Sequence, residues 1–363
     1  MSVTNKPFNP NPWVRPNIRT LLPYHAARDD FQEGILLDAN ENSFGPAIPT
    51  EMPLHRYPDT SLEALRAKWA DFRGLSPEQV FVGVGSDEAI DLLMRVFCEP
   101  GRDDILTTPP TYGMYKVAAR INNVGVSEAT LTKNFELDAR AVLSRVTQRT
   151  KLIMLCSPNN PTGNVLSISQ IERILFDFRR LVVVDEAYID FSETDSLCHL
   201  MERYPNLVIL QTLSKSFGLA AIRMGAALAH PSIISWMMKV KAPYNVNQLT
   251  ADAALEAFEH TGLMRDHVKL IVKERVRLSQ TLAEHRDVLT VFPSEANFLL
   301  VRFRNAMDWY EHLASQGIIV RYRGDQIHCE NTLRITVGTP KENERLIQEL
   351  NNHTIPEKPR SVS

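Results

Sequence analysis

The sequence predicts an α/β protein: a large domain built on a mostly parallel sheet flanked by helices, followed by a smaller α+β C-terminal domain. Two observations carry this. Through the first two thirds of the chain, short β-branched runs alternate with longer amphipathic stretches, the pattern of successive βαβ units. From Val288 onward strands follow one another with fewer helices between them, as in an α+β lobe. The chain has 363 residues, which at roughly 150 residues per domain leaves room for two or three domains, or one large domain with an appendage.

Taken in order, the apparent strands of the first region are Val80 to Val84, Asp104 to Thr107, Lys151 to Leu155, Leu181 to Val184, Leu207 to Gln211 and Gly225 to Ala229. Helical patterns fall between most of them, over Glu88 to Phe97 and Ile168 to Phe178, and Ala251 to Phe258 follows the last strand. A charge-laced helical stretch from Met264 to His285 suits the connection between two lobes. Beyond it the pattern reads strand (Leu289 to Phe292), strand (Phe298 to Phe303), helix (Met307 to Gln316), strand (Ile318 to Tyr322), strand (Thr332 to Val337) and helix (Lys341 to Leu350). No internal repeat interrupts this order. The Asn/Pro-rich opening and the tail from Asn351 to Ser363 should be poorly ordered unless something ties them down.

Composition excludes several classes. Apolar residues make up 44% and charged residues 23%, with 15 Gly and 22 Pro, all ordinary for a globular chain and unlike a disordered or fibrous one. The longest stretch without Lys, Arg, Asp or Glu runs from Leu152 to Ile171, but Pro158, Pro161 and Gly163 break it, so no membrane span is expected. The opening MSVTNKPFNPNPW lacks the basic-then-apolar pattern of a signal peptide, which makes the cytoplasm the expected compartment. With 40 basic against 43 acidic residues and no run of Lys or Arg, the chain suits a small-molecule enzyme better than a nucleic-acid binder. Cys98, Cys156, Cys198 and Cys329 lie far apart without CxxC spacing, and neither a metal site nor a disulfide framework is indicated.

Four segments at the C-terminal ends of predicted strands carry chemistry. Gln211-Thr-Leu-Ser-Lys-Ser-Phe-Gly presents one lysine, Lys215, between hydroxyls at the end of a strongly apolar strand, where an amine is placed for covalent work; a solvated surface lysine is the bland alternative. Ser157-Pro-Asn-Asn-Pro-Thr-Gly163 is a rigid turn whose Asn side chains are aimed by flanking prolines, and alone it could be a tight turn and nothing more. Asp185-Glu-Ala-Tyr188 puts an acid where a buried strand surfaces, a position that a helix cap can also occupy. Val80 to Val84 leads into Gly85-Ser-Asp-Glu88 and an apolar helix, so free N–H groups and a positive helix end meet at Ser86 and Asp87, a cradle for phosphate. Ligands of open α/β sheets bind at the carboxyl ends of strands, and all four segments therefore converge on one crevice. A dinucleotide fingerprint at Gly83-Val-Gly85 fails, because Glu88 stands where the third glycine belongs.

These residues resemble a known family. Thr-x-Ser-Lys-x-Phe-Gly-Leu-Ala with Arg223 eight residues after Lys215, the Ser-Pro-Asn-Asn-Pro-Thr-Gly turn and Asp-Glu-Ala-Tyr, in this order, resemble pyridoxal-phosphate aminotransferases of the aspartate aminotransferase fold. Leu37-Asp-Ala-Asn-Glu-Asn42, Arg56-Tyr-Pro58, Pro109-Pro-Thr-Tyr-Gly-Met-Tyr115 and Leu333-Arg-Ile-Thr-Val-Gly338 extend the match to nearly the whole chain and bring it closest to the histidinol-phosphate aminotransferases. Two departures stand out. Ser43 follows Asn-Glu-Asn where the family often has proline, and Ala221-Ile222 replaces a common Gly-Leu.

The resemblance implies a seven-stranded, mostly parallel sheet and pyridoxal 5'-phosphate as cofactor. It divides the chain into an N-terminal arm contributing to the small lobe (1–48), a large cofactor-binding domain (49–270), a small domain (271–350) and a flexible tail (351–363), with the boundary near 270 inside a helix. It makes Lys215 the amine that holds the cofactor as an imine and later moves the proton, Asp185 the carboxylate that keeps the pyridine nitrogen protonated, and Asn160 and Tyr188 the partners of the phenolic oxygen. Tyr112 would stack on the ring, and Thr212, Ser214, Arg223 and the N–H groups of Ser86 and Asp87 would hold the phosphate. For the substrate it implies Tyr24, Asn40, Tyr57, Asn160, Arg321 and Arg334, Tyr57 reaching in from a partner subunit of a homodimer with shared sites. Arg323 lies on the same strand face as Arg321, so which of the two meets the substrate stays open. The implied reaction takes L-histidinol phosphate and 2-oxoglutarate to imidazole acetol phosphate and glutamate, with no nucleic-acid or membrane partner. A relative acting on another phosphorylated or aromatic amine, including a threonine-phosphate decarboxylase, remains open, as does, more remotely, a non-catalytic regulator on the same fold.

Overall fold

The computed structural model describes residues 8–25, 30 and 34–355. The larger sheet comprises β1 (Val80–Val84), β2 (Asp104–Thr107), β3 (Gly125–Glu128), β4 (Thr150–Cys156), β5 (Leu181–Asp185), β6 (Leu207–Thr212) and β7 (Met224–Ala229), in the order β1-β7-β6-β5-β4-β2-β3. Only β7 runs antiparallel to its neighbours. Every residue of β5, β6 and β7 is buried, as is nearly all of β4, because helices cover both faces. One apolar layer gathers Leu65, Trp69 and Ile174; the opposite one gathers Ile90, Leu93, Phe97 and Tyr115.

The smaller sheet comprises β8 (Val288–Val291), β9 (Phe298–Phe303), β10 (Arg321–Tyr322) and β11 (Thr332–Thr336), in the antiparallel order β10-β11-β9-β8. It closes over Leu278, Phe303 and Trp309. The helix Thr261–Ala283 runs unbroken between the two lobes. Among the described residues no helix is long and apolar enough to cross a membrane.

Several elements differ from the sequence reading. The edge strand Gly125–Glu128 and the helices Glu63–Arg73, Met114–Ile121, Ala139–Ser144 and Pro231–Val240 were not expected. The strand expected over Ile318 to Tyr322 is only the two-residue β10, because Ile319 stays 76% exposed and pairing with β11 begins at Arg321. The N-terminal stretch makes contacts within its own chain: Arg15 N–H bonds the Val96 carbonyl at 2.9 Å, and Trp236 Nε1 donates to Asn11 at 2.9 Å. Of the tail expected over 351–363, Asn351 and Asn352 end the helix Pro340–Asn352, and residues 356–363 lie outside the described residues.

The fold prepares one edge of the large sheet for a ligand. The helix expected from Glu88 starts at Gly85, so Ser86 and Asp87 occupy its first turn with N–H groups that have no helical acceptor. Gly85 has φ +70°, and a Cβ on Gly225 would sit 2.2 Å from the Ser86 nitrogen. Glycine at 225 thus lets β7 and the helix start nearly touch. Val84, Cys156, Asp185 and Thr212, the last residues of β1, β4, β5 and β6, open onto this edge.

Candidate active site

Every residue assigned to the cofactor from sequence lines one cavity at that edge: Ser86, Asp87, Tyr112, Asn160, Asp185, Tyr188, Thr212, Ser214, Lys215 and Arg223, joined by Cys156, Ala187 and Ala220. At its floor Asp185 is 3% exposed. Its carboxylate accepts the Tyr115 hydroxyl at 2.7 Å and the Ala187 N–H at 3.1 Å. Burial pushes the Asp185 carboxyl up to about 6, against the pull of those two donors. A carboxylate held this way is ready for a cationic N–H in the cavity, which would lower its pKa and neutralise it.

The Lys215 Nζ has no hydrogen-bond partner among the described residues and sits 5.7 Å from the centre of the Tyr188 ring. Burial, then the nearby guanidinium groups of Arg334 and Arg223, hold its pKa below the ordinary lysine value. A larger share of uncharged amine follows, which is what a nucleophile or base needs.

One end of the cavity is an anion cup. Thr212 Oγ1 donates to Ser214 Oγ at 3.0 Å, and Arg223 Nη1 reaches Ser214 Oγ at 3.4 Å. Arg223 sits in the left-handed region (φ +56°) just before β7. Its Nη2 lies 3.5 Å from Asp87, a loose pairing that leaves its fork available to a stronger anion. Tyr112 stands edge-on to Tyr115, with centroids 5.5 Å apart, and its hydroxyl donates to Asp87 at 3.3 Å.

At the other end, Asn160 Oδ1 accepts from Arg334 Nη1 at 2.5 Å and its amide lies 3.5 Å from the Tyr188 hydroxyl. The neighbouring Asn159 holds the loops together instead. It bonds the Pro110 carbonyl at 2.8 Å and Thr111 at 3.1 Å, tying the turn to the Tyr112 loop. Arg321 and Arg334 are directly opposite in the β10–β11 register, and the Arg323 N–H bonds the Thr332 carbonyl at 2.9 Å, so all three arginines share one sheet face. The Nε atoms of Arg323 and Arg334 are buried without a partner. Among the described residues none of the three has a carboxylate within ion-pair distance. After burial, the pKa of Arg334 is lowered most by Arg323, and Arg321 adds to this. Three cations that repel one another next to a cavity define a place for an anion.

The remaining substrate candidates are elsewhere in this chain. Tyr24 is 70% exposed, and Tyr57, half exposed, stacks on Tyr244 at 4.5 Å. Asn40 and Tyr57 line a separate groove of about 490 Å³. Sequence reasoning missed Tyr115, which only the three-residue spacing to Tyr112 at a helix start could have suggested, and Cys156, buried among the cavity walls.

The match to known proteins agrees with this geometry. Residues 32–350 fit the family model described as aminotransferase class I and II. The chain belongs to the class I and II aminotransferases. A histidinol-phosphate aminotransferase from Parabacteroides distasonis is 48% identical to this aminotransferase over 341 residues, covering 93% of this chain and 97% of its own. Another from Christiangramia forsetii is 46% identical over 347 residues, covering 94% and 97%. The crystal structure of histidinol-phosphate aminotransferase from Sinorhizobium meliloti in complex with pyridoxal 5'-phosphate superposes with a TM-score of 0.76 over 86% of this chain and 90% of its own, at 21% identity. That likeness supports the fold.

Proposed function

We propose that this aminotransferase exchanges an amino group between L-histidinol phosphate and 2-oxoglutarate, giving imidazole acetol phosphate and glutamate, with pyridoxal 5'-phosphate as cofactor. The cavity fits that cofactor. Thr212, Ser214, Arg223 and the Ser86 and Asp87 N–H groups would hold its phosphate, Tyr112 its ring face, Asn160 and Tyr188 its phenolic oxygen, and Asp185 the proton on its ring nitrogen. Bound there, the cofactor supplies an aldehyde for the amine and an electron sink for the bond broken at the substrate's α-carbon.

The chain's own residues do the rest. Lys215, its pKa lowered by burial and by Arg334 and Arg223, takes the proton from the substrate α-carbon and returns it one position over. Asp185, sealed from water, keeps its negative charge opposite the ring nitrogen throughout. The face formed by Arg321, Arg323 and Arg334 orients the anionic end of each substrate, phosphate in one half-reaction and carboxylate in the other.

The observation that carries the substrate reading is this unneutralised arginine face bordering Asn160, in a chain 48% identical to a histidinol-phosphate aminotransferase. The test is an assay of the pure protein with histidinol phosphate, aspartate, phenylalanine and threonine phosphate as competing donors. Histidinol phosphate should give the highest kcat/KM. Preference for any other donor, or release of carbon dioxide from threonine phosphate, overturns the reading.

The active unit is at least a homodimer in the cytoplasm, with Tyr57 completing the neighbour's site. Supporting this, Tyr24 and Tyr57 are exposed away from their own cavity, and Leu22, Ile35, Leu37 and Phe44, all at least 80% exposed, lie in the same segment.

A further inference from the structure

Behind the cavity, on the far side of β5 and β6, lies a second polar assembly that the chemistry does not touch. Three adjacent pairs of residues link the two. Asp185, Thr212 and Lys215 line the cavity, while their chain neighbours Glu186, Gln211 and Ser216 are buried at 2%, 2% and 5% exposure away from it. On the strands this follows from alternation of successive side chains.

The rear members are wired together. Ser196 donates to Glu186 at 2.6 Å, and the Gln211 amide donates to the same carboxylate at 3.0 Å. Gln211 Oε1 in turn accepts from Arg73 Nε at 2.8 Å. Arg73 Nη2 reaches Asp190 at 2.7 Å, and the other Asp190 oxygen accepts the Ser216 hydroxyl at 2.5 Å. An unbroken ladder, Glu186–Gln211–Arg73–Asp190–Ser216, therefore joins the residue after Asp185 to the residue after Lys215.

Such a ladder is costly as a stability device. Buried ionic groups are often matched or bettered by apolar ones of the same shape, but they fix geometry sharply. Here the two ends of the ladder are the chain neighbours of Asp185 and Lys215.

We propose that this ladder positions Lys215 relative to Asp185, with Ser216 and Asp190 as positioning residues for the transamination. This rests on the reading of Lys215 as the lysine that carries the cofactor. Neither side chain touches the cavity. The Ser216 hydroxyl anchors the backbone from which Lys215 projects, and Asp190 holds that hydroxyl only while Arg73 holds Asp190. Loss of the anchor lets the amine wander from the substrate α-carbon while leaving the anion cup and the arginine face as they are.

The test uses cofactor-loaded Ser216→Ala, Asp190→Asn and their double variant, with Ser216→Thr as the variant that keeps the hydroxyl. A displaced lysine should lower kcat by about 10- to 100-fold with KM within about twofold. It should also shift the pH midpoint of the bound cofactor's absorbance, and, in the cofactor-free protein, the pH dependence of Lys215 acylation. Because both substitutions break one link, the double variant should be no worse than the poorer single one. Ser216→Thr should restore kcat and the midpoint. The proposal is overturned if kcat and both pH profiles match the wild type in each single variant, or if the two losses multiply as independent effects. Borohydride reduction of the wild type separates the two readings: a label on Lys215 with wild-type behaviour in the variants defeats only the positioning role, whereas a label on another lysine removes the premise for both.

Discussion

Tyr115 donates its hydroxyl to Asp185 at 2.7 Å, and the pair is sealed, at 0% and 3% exposure. The tyrosine comes from the first turn of the helix Met114–Ile121, the aspartate from the end of β5, seventy residues later. This bond is one of two that favour the charged carboxylate against burial. Tyr115→Phe keeps the ring and its packing and should raise the Asp185 pKa further. A hydrogen bond to a charged group is worth about 1.5 to 3 kcal/mol, so turnover should fall by roughly 10- to 100-fold. Unchanged kcat in the Phe variant would show that the bond does not tune Asp185.

Asp185 itself makes opposite predictions with and without cofactor. In the cofactor-free protein its folded pKa, about 6, lies above the ordinary value of 3.8. Folding therefore favours the protonated form, and that contribution is complete below about pH 4 and lost as pH rises through 6. Asp185→Asn should then make the cofactor-free protein more stable at pH 7 by about 1 to 3 kcal/mol, with the difference fading towards pH 4. Loaded with cofactor, the same variant should lose most of its turnover, because the ring nitrogen is no longer opposed by a charge. Denaturant melts at the two pH values, with and without cofactor, check both halves.

The arginine face should divide by substrate. Arg321, at the exposed edge in β10, faces Arg334, which reaches inward to Asn160. Arg321→Ala should slow the histidinol phosphate half-reaction by about tenfold or more, the worth of one charged contact, and the glutamate half-reaction much less. Equal losses in both would assign Arg321 to structure.

Shared sites should show in mixtures. Tyr57→Ala and Lys215→Ala proteins, each inactive, should regain part of the activity after subunit exchange, because one site per heterodimer then joins an intact lysine to an intact tyrosine. No recovery despite proven exchange would mean that each subunit builds its site alone.

The strands that carry the site were legible because β4 to β7 are buried on both faces and read as largely apolar runs, β5 ending at Asp185 and β6 at Thr212. Gly125–Glu128 was not, since an edge strand of four residues, none of them buried, shows no such run. The helix Glu63–Arg73 lacks a capping side chain and begins after Leu62 at φ +50°, so its start carried no signal. The residues assigned from sequence that line the cavity could be named because each sits at a strand end or in a local motif. Tyr115, Arg73 and Asp190 could not, because their roles come from partners far along the chain. Likewise, the question between Arg321 and Arg323 needed the strand register, which puts both on the face of Arg334.

Single turnover tests amino-group exchange at this site most directly. The cofactor-loaded protein, mixed with histidinol phosphate and no acceptor, should lose its aldehyde absorbance once per site and stay in that state. Added 2-oxoglutarate should restore it with one glutamate per site. Release of carbon dioxide with the absorbance regained unaided, or no change with histidinol phosphate at all, would contradict transamination of this substrate.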